Sequence, residues 1–469
     1  MSVNTFVWGF TSERAAIIDK LSDEGVISKK CWISLLWHRN DRLLEKKQIL
    51  KESTFHSNRW LEKYGDLVAK YQEGVEFNQE VYSKVYEKLY LFVDMYSRHD
   101  HRLHEKSLHH YINQFNMLYN FFYSVLVKEQ VQLVLFDCIP HLGPELILYE
   151  IAKAMNIRTL MVYPSPIPNK YFYLENPEDY GDFRFMTRQE EPSSYVKLEK
   201  KFFIDHFYMR NVKRFRFSIF EAVLRSFMRP HRLFEEFAFN IQRYWRVKRY
   251  RRNLSKLVKP VDYGKKYVYF PLHLQPELTT SALGGVFNDQ VLALEVLSKK
   301  IPKDWVIYVK ENPKQTDFMR DDAFFERLKL IDNLRIAPLD ENTFKLIEYS
   351  QFVATITGTA GWEAICGGKP ALVFGKTWYH NFEGVFKWHS DINVDEITHY
   401  QVDHAKLERD YNELISKAAT GVVDNEYSCL VQDYDDEKNV QLVAEFLSKL
   451  IRESGEKVVF PHEPFIRAA

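Results

Sequence analysis

What most restricts the fold of this chain is a run of alternating strand and helix signals between residues 267 and 374. Tyr267–Pro271, Trp305–Lys310, Leu334–Ala337, Phe352–Thr357 and Pro370–Phe374 are short, apolar and rich in β-branched or aromatic residues. Between them, Val286–Lys299, Asp322–Leu330, Asn342–Ser350 and Thr359–Cys366 carry apolar residues at helical spacing. Strands buried on both faces read as continuous apolar runs, and parallel neighbours need a crossover helix between them. The alternation therefore predicts a doubly wound α/β sheet.

The N-terminal half repeats the theme with less contrast. Thr5–Phe10 and Cys31–Trp37 read as buried strands, with Ser12 placed to cap a helix running towards Gly25. Residues 46–128 turn helical. Val131–Phe136, a loop, a helix over Glu145–Met155 opened by Pro144, and Arg158–Tyr163 then form a βαβ unit. A length of 469 residues suits two or three domains at roughly 150 residues each. The expectation is an α/β chain with two Rossmann-like domains, 1–184 and 263–435, facing a cleft. A basic amphipathic helical linker, 185–262, joins them, and a C-terminal helix and tail, 436–469, close the chain.

Composition excludes several classes. Hydrophobic residues at 46% and charged residues at 27% fit a packed protein rather than a disordered one. Lys plus Arg balances Asp plus Glu at 64 each, which argues against a globally basic nucleic-acid binder. The charge is unevenly spread: Arg210–Lys259 holds 15 Lys/Arg against 3 Glu. That segment is open to two readings, packing within the chain or contact with an anionic inner-membrane surface. Cys31, Cys138, Cys366 and Cys429 form no CxxC pair, which fits a reducing compartment. No basic flank and apolar core marks the N-terminus, and no apolar run nears the roughly 20 residues of a membrane helix. A cytoplasmic chain, peripheral at the inner membrane if the linker binds lipid, is expected.

Ligands of open α/β sheets sit beyond the carboxyl ends of strands, so three loops draw attention. The first, Pro271–Glu277, offers His273 and Gln275 for substrate and Glu277 as nucleophile, base or hydroxyl partner. Glu277 is also readable as the cap of the next helix. The second, Val309–Pro313, supplies Lys310 and Asn312 for a phosphate, or is simply a solvated loop stopped by proline. The third, Thr357–Gly361, leads small residues into a helix N-terminus, where the dipole favours anions. Thr357, Gly358, Thr359 and Gly361 would hold a phosphate there. Glu363 would accept sugar hydroxyls or serve as a first-turn acidic residue. The string is neither a Walker A nor a GxGxxG motif. In the first domain, Asp137 is a candidate substrate contact, and His141 and Glu145 are candidates for activating an acceptor. Two decoys weigh less. The histidines at 99, 101, 104, 109 and 110 lie among basic residues without ordered carboxylates, and Asp433-Tyr434-Asp435 lies away from any strand end.

In this order, the strings Tyr269–Glu277, Val309–Pro313, Thr357–Ala364 and Gly367–Gly375 with Trp378 and Tyr379 resemble the bacterial capsular polysaccharide biosynthesis (capsule synthesis) family. The resemblance covers about residues 265–390. It implies a GT-B glycosyltransferase related to β-Kdo transferases, working on capsule or lipopolysaccharide glycans. By the same resemblance Lys310–Pro313 and Thr357–Thr359 hold the nucleotide phosphate, and Gln275 and Glu277 lie near the anomeric carbon. The chain departs from the pattern at Asn312, where relatives often have His, and at Thr279, where the Kdo branch has Asp. A nucleotide sugar such as CMP-Kdo is then the donor, with a glycan or glycolipid acceptor, no metal and no cofactor. Two competing readings remain from the residues themselves. One is a nucleotide-sugar epimerase or hydrolase on the same frame, and the other a non-catalytic glycan- or membrane-binding export component.

Overall fold

A computed structural model of the chain describes residues 2–11, 14–34, 49–51, 55, 59–97, 106–189, 195–203 and 233–453. The chain divides into two compact units, Met1–Ser193 with Ile415–Ala469, and Ser194–Leu414.

The first unit is built on β1 (Val3–Trp8), β2 (Ile27–Ser34), β3 (Ile49–Lys51), β4 (Leu133–Phe136), β5 (Arg158–Pro164) and β6 (Lys170–Leu174). The second is built on β7 (Tyr267–Pro271), β8 (Val306–Lys310), β9 (Leu334–Ile336), β10 (Val353–Thr355), β11 (Ala371–Val373) and β12 (Val385–Lys387). A last strand, β13 (Ala419–Thr420), returns to the first sheet.

In the second unit the strand order is β12-β11-β10-β7-β8-β9, and every pairing is parallel. Numbered from β7, this is the 3-2-1-4-5-6 order of a doubly wound nucleotide-binding sheet. Alternation along β7 and β8 explains why both read as unbroken apolar runs. Val268, Phe270, Ile307 and Val309 enter one core, whereas Tyr267, Tyr269, Val306 and Tyr308 enter the core on the opposite face. The buried phenols are satisfied locally, Tyr267 donating to Leu346 O at 2.9 Å and Tyr308 accepting from Asp262 N at 2.8 Å.

The first sheet runs β13-β6-β5-β4-β1-β2-β3. From β5 to β3 it is parallel, and β6 and β13 are added antiparallel. The helix Gly143–Ala154 follows β4 with Pro144 in its first turn, as expected.

Two predicted elements need new bounds, and the compact units divide at other places than the expected domains. The units divide at 193/194 and 414/415 rather than at 184/185, 262/263 and 435/436. Residues 415–435 leave the second unit because β13 pairs with β6 and the helix Asp436–Glu453 packs on the helix Ala15–Asp23. The part of the expected linker that is described, Leu233–Leu257, belongs to the second unit, with Tyr250 and Leu254 in its core; residues 204–232 lie outside the described residues. The helix expected from Val286 begins instead at Gln290, because Asp289 caps it through Val291 N and Leu292 N. The strand expected over Cys31–Trp37 begins earlier, at Ile27, and residues 35–37 are outside the described set.

Arg14 fastens the C-terminal return. Its guanidinium donates to Val422 O at 3.1 Å, Asn425 Oδ1 at 2.7 Å, Tyr434 OH at 2.7 Å and Asp436 Oδ1 at 2.5 Å. Asp436 is half exposed, so the charge pair itself adds little, and most of the effect lies in the buried donors. Arg14→Ala is expected to cost about 2 kcal/mol, read as a lower urea midpoint with an unchanged slope. An unaltered midpoint would remove Arg14 as the fastening.

Candidate functional site

In the second sheet the winding direction reverses between β7 and β10, the position at which loops leave a crevice beyond the carboxyl ends. The loop after β7 and the loop after β10 meet there. His273 Nε2 lies 2.8 Å from Thr355 Oγ1, which also accepts from Gly358 N at 3.1 Å. Gly358 is required by this approach: a Cβ at that position would sit 2.9 Å from the His273 ring and from Thr355 Oγ1. Gln290 holds the His273 backbone at both ends, accepting from its N–H at 2.7 Å and donating to its carbonyl at 3.1 Å.

The loop after β8 joins the same assembly through Arg320. Its Nε donates to Glu311 Oε2 at 3.0 Å, with the side chains 0% and 1% exposed. The remaining nitrogens donate to Gln275 Oε1 at 2.7 Å and to His273 O at 3.2 Å, and the guanidinium carbon lies 4.5 Å from the Phe324 ring centroid. All three loops singled out in the sequence therefore converge on one edge of one sheet.

Their individual side chains divide by what they already hold. The Gln275 amide is engaged at both its nitrogen and its oxygen, donating to Asn288 O at 2.6 Å and accepting from Arg320. Lys310 donates to Glu341 O at 2.6 Å and Thr343 Oγ1 at 2.8 Å, pinning the start of the helix Thr343–Tyr349. Asn312 closes a turn by accepting from Lys314 N at 2.9 Å. Thr357 donates to Thr279 O at 2.7 Å. Glu277 is exposed and stands at the N-cap of the short helix Leu278–Ser281, without a capping bond from its carboxylate. Gly358 caps the helix Thr359–Cys366, and the Tyr379 hydroxyl donates to its carbonyl. Gly361 sits under that same phenol, and Glu363 is buried one turn further on. Thr359 and Ala360 thus open the helix beside the His273 ring, with first-turn N–H groups that no helical carbonyl can reach.

Charge at this edge is ordered by burial. Burial and then the Arg320 charge pull His273 down to about 4, so its imidazole is neutral at pH 7.

The first unit has the same reversal between β1 and β4, and Asp137, His141 and Glu145 gather there. Asp137 Oδ2 accepts from Phe10 N at 2.9 Å, and Gly9, at φ 84°, leaves the space that the carboxylate fills. Glu145 accepts from Trp8 Nε1 at 3.1 Å, His141 N at 2.8 Å and Leu142 N at 3.2 Å. Its second oxygen also lies 3.3 Å from His141 Nδ1, which is 3.0 Å from Ile139 O. Two acceptors facing Nδ1 place a proton on that nitrogen. Burial alone would lower the His141 pKa, but the Glu145 carboxylate outweighs it and raises the ring well above its ordinary value. Burial pushes Asp137 up to about 7, against the Phe10 N–H and with help from Glu145. Glu145 is therefore a positioning residue, His141 a cation at neutral pH, and Asp137 the group that titrates near it.

Sequence reasoning missed Arg320, Glu311, Gln290 and Thr355, and named Tyr379 only within the resemblance, without a role. Glu311 stands inside a string that was singled out, but nothing marks its partner nine residues on. The decoys resolve structurally where they are described. His110 packs edge-on against Tyr111, at 5.4 Å between centroids, while His99, His101 and His104 lie outside the described residues. Tyr434 bonds Arg14, and Asp435 accepts from Lys438 N at 3.0 Å. Among the described residues, no group of three or more His, Cys, Asp or Glu is placed to hold a metal ion.

Residues 186–411 match the capsule polysaccharide biosynthesis protein family. Among solved structures, a β-Kdo 2,7 transferase, KpsC, of Thermosulfurimonas dismutans is similar at 14% identity over 43% of this chain and 62% of its own, with a TM-score of 0.25. A β-Kdo 2,4 transferase of the same organism and protein name is similar at 11% identity over 64% of this chain and 87% of its own, with a TM-score of 0.29. The UDP-GlcNAc 2-epimerase of Methanocaldococcus jannaschii is similar at 11% identity over 95% of this chain and all of its own, with a TM-score of 0.23. These likenesses specify neither reaction nor substrate. No curated protein sequence matches the chain.

Arg320→Met is expected to destabilise the protein by about 3–5 kcal/mol in urea unfolding, because it strands the Glu311 carboxylate in the core. Adding Glu311→Gln should recover part of the loss; a neutral single variant would contradict the hub. His273 predicts a second signature. Its folded pKa lies below the unfolded value of about 6.5, so the unfolded chain binds the proton first as pH falls. Stability should drop between about pH 6.5 and 4, by up to about 3 kcal/mol, and His273→Gln should flatten that part of the slope. Parallel slopes for the two proteins would show the ring to be solvated.

Proposed function

We propose that this chain, whose residues 186–411 match the capsule polysaccharide biosynthesis protein family, is a GT-B glycosyltransferase moving a sugar from a nucleotide-activated donor to a surface glycan or glycolipid. The observation that carries this reading is the convergence of the three family-like loops on the reversal point of the second sheet, the first two tied by Arg320 and the third joined through His273 and Thr355. The second unit takes the donor and the first takes the acceptor.

In this reading the phosphate of the nucleotide lies against the N–H groups of Thr359 and Ala360, where the helix dipole favours negative charge. Lys310 acts from its place at the end of β8 by adding positive charge and by fixing the Glu341–Thr343 turn. Gln275 positions the loop rather than touching the sugar. Glu277, exposed at the loop's end, is the candidate to stabilise the glycosyl cation. CMP-Kdo or another acidic sugar is the donor class, without a metal ion.

The chemistry of the first unit supports a shifted assignment of the base. His141 holds a proton on Nδ1 against Glu145 and Ile139 O, so it supplies positive charge. Asp137, at about 7, is the group placed to accept the proton of the acceptor hydroxyl. The acceptor oxygen then bonds to the anomeric carbon as the bond to phosphate breaks, and the nucleotide leaves with the electron pair.

The test is calorimetry and thermal shift with CMP, UDP, GDP and dTDP, each with and without EDTA, followed by turnover with acceptor. The expected result is a selective shift with one nucleotide that EDTA leaves unchanged. Asp137→Asn should keep that shift but lose turnover by about 10²–10⁴-fold, and the wild-type profile should rise through an apparent pKa near 7. Absence of any nucleotide shift from folded protein would overturn the transferase reading. Full activity in Asp137→Asn would overturn the base assignment, and donor turnover without acceptor would indicate an epimerase or hydrolase.

A further inference from the structure

We propose that the outward face of the helix Leu233–Leu257 docks the second unit on the headgroup layer of an anionic phospholipid bilayer. The inference is independent of the reaction above, and it rests on what this helix does with its two faces.

The inward face is accounted for. Val247, Tyr250 and Leu254 are 4%, 8% and 6% exposed, and the last two join the core built on β7 and β8. Arg246 pairs with Asp317 at 3.2 Å, Arg249 with Asp322, and Asn253 donates to Asp322 at 2.8 Å, so the flanks are stitched to the loop and helix beside it. Opposite lies a stripe at steps of four, three, four and four residues: Ile241, Trp245, Lys248, Arg252 and Lys256. All five are exposed, with Ile241 at 43% and Trp245 at 58%.

Three properties of that stripe select its partner. Three of its five members are Lys or Arg, and residues 241–257 contain no Asp or Glu, so the face attracts anions along its length. Among the described residues, Lys248, Arg252 and Lys256 have no carboxylate partner. Apolar and cationic groups also occupy the same level: Lys248 Nζ sits 5.0 Å from the Trp245 ring centroid and 5.9 Å from that of Tyr244. A headgroup layer meets both demands, because indole and isoleucine enter its apolar boundary while ammonium and guanidinium groups remain at the phosphates. A nucleic-acid backbone would satisfy the cations but leave Ile241 in water. No helix of the described residues is long and apolar enough to cross a membrane, so the contact is a surface one.

Flotation of the full chain with two vesicle types tests the inference: phosphatidylcholine alone, and phosphatidylcholine with phosphatidylglycerol in a two-to-one ratio. The chain should float with the anionic vesicles and remain behind with the neutral ones, and added salt should weaken binding. Lys248→Glu/Arg252→Glu/Lys256→Glu should lower partitioning roughly tenfold or more, since each basic group near the surface contributes measurably. Trp245→Ser should lower it even at low salt, which separates insertion from charge alone. All four positions are exposed, so an unchanged unfolding midpoint and nucleotide shift will show that the variants are folded. Equal flotation with both vesicle types, no flotation with either, or unaltered binding by the variants would overturn the proposal. So would retention on single-stranded RNA without vesicle binding.

Discussion

The site in the second unit depends on one buried ion pair, Arg320 with Glu311. Three loops leave neighbouring strands at different angles, and each must present backbone to a common point. Loops so exposed in origin would ordinarily wander, because they have few apolar contacts to fix them. Arg320 fixes two of them with the rigid fork of its guanidinium, reaching Glu311 on one loop and both Gln275 and His273 on another, and the His273 ring beside Thr355 brings in the third. Such a pair adds little net stability against an apolar replacement, since both charges lose their water. What it does supply is geometry: its donors and acceptors are satisfied in one arrangement of the loops.

The two sheets place polar chemistry by the same device. At each reversal a glycine lies against a side chain from the neighbouring loop, Gly9 against Asp137 and Gly358 against His273. Neither contact would survive a Cβ. The strand order opens the crevice, and the glycine lets a polar side chain occupy its floor. Topology and local backbone chemistry are thus two parts of one requirement, which is met separately in each unit.

Much of this was readable from the residues, for reasons that can be named. Tyr267–Pro271 and Trp305–Lys310 were legible as strands because burial on both faces leaves no polar position to interrupt the run. Pro144 and the Thr357–Gly361 string marked helix entries, and the three loops were found because a strand end is visible before each. Short edge strands were not legible. β12 and β13 span three and two residues, too few to show a pattern, and β13 pairs with β6 about 250 residues earlier, Ala419 opposite Tyr171. The departure of residues 415–435 from the second unit was hidden for the same reason, since it depends on Arg14, four hundred residues away. Arg320 was missed because an arginine beside aspartates reads as surface until its burial is known.

The two histidines show how little residue type settles. His273 is enclosed and faces the fixed charge of Arg320, so its ring is held neutral and offers one nitrogen to a threonine hydroxyl. His141 is partly enclosed and faces Glu145, so its ring is held charged. Each carboxylate or guanidinium that fixes these states is itself saturated by backbone or side-chain donors and acceptors, and so cannot relax to undo them. A neutral imidazole beside helix N–H groups leaves a place where negative charge is welcome. A charged imidazole next to Glu145 leaves Asp137 as the group free to exchange a proton near pH 7. The opposite charge states of the two rings follow from which partner each histidine was given.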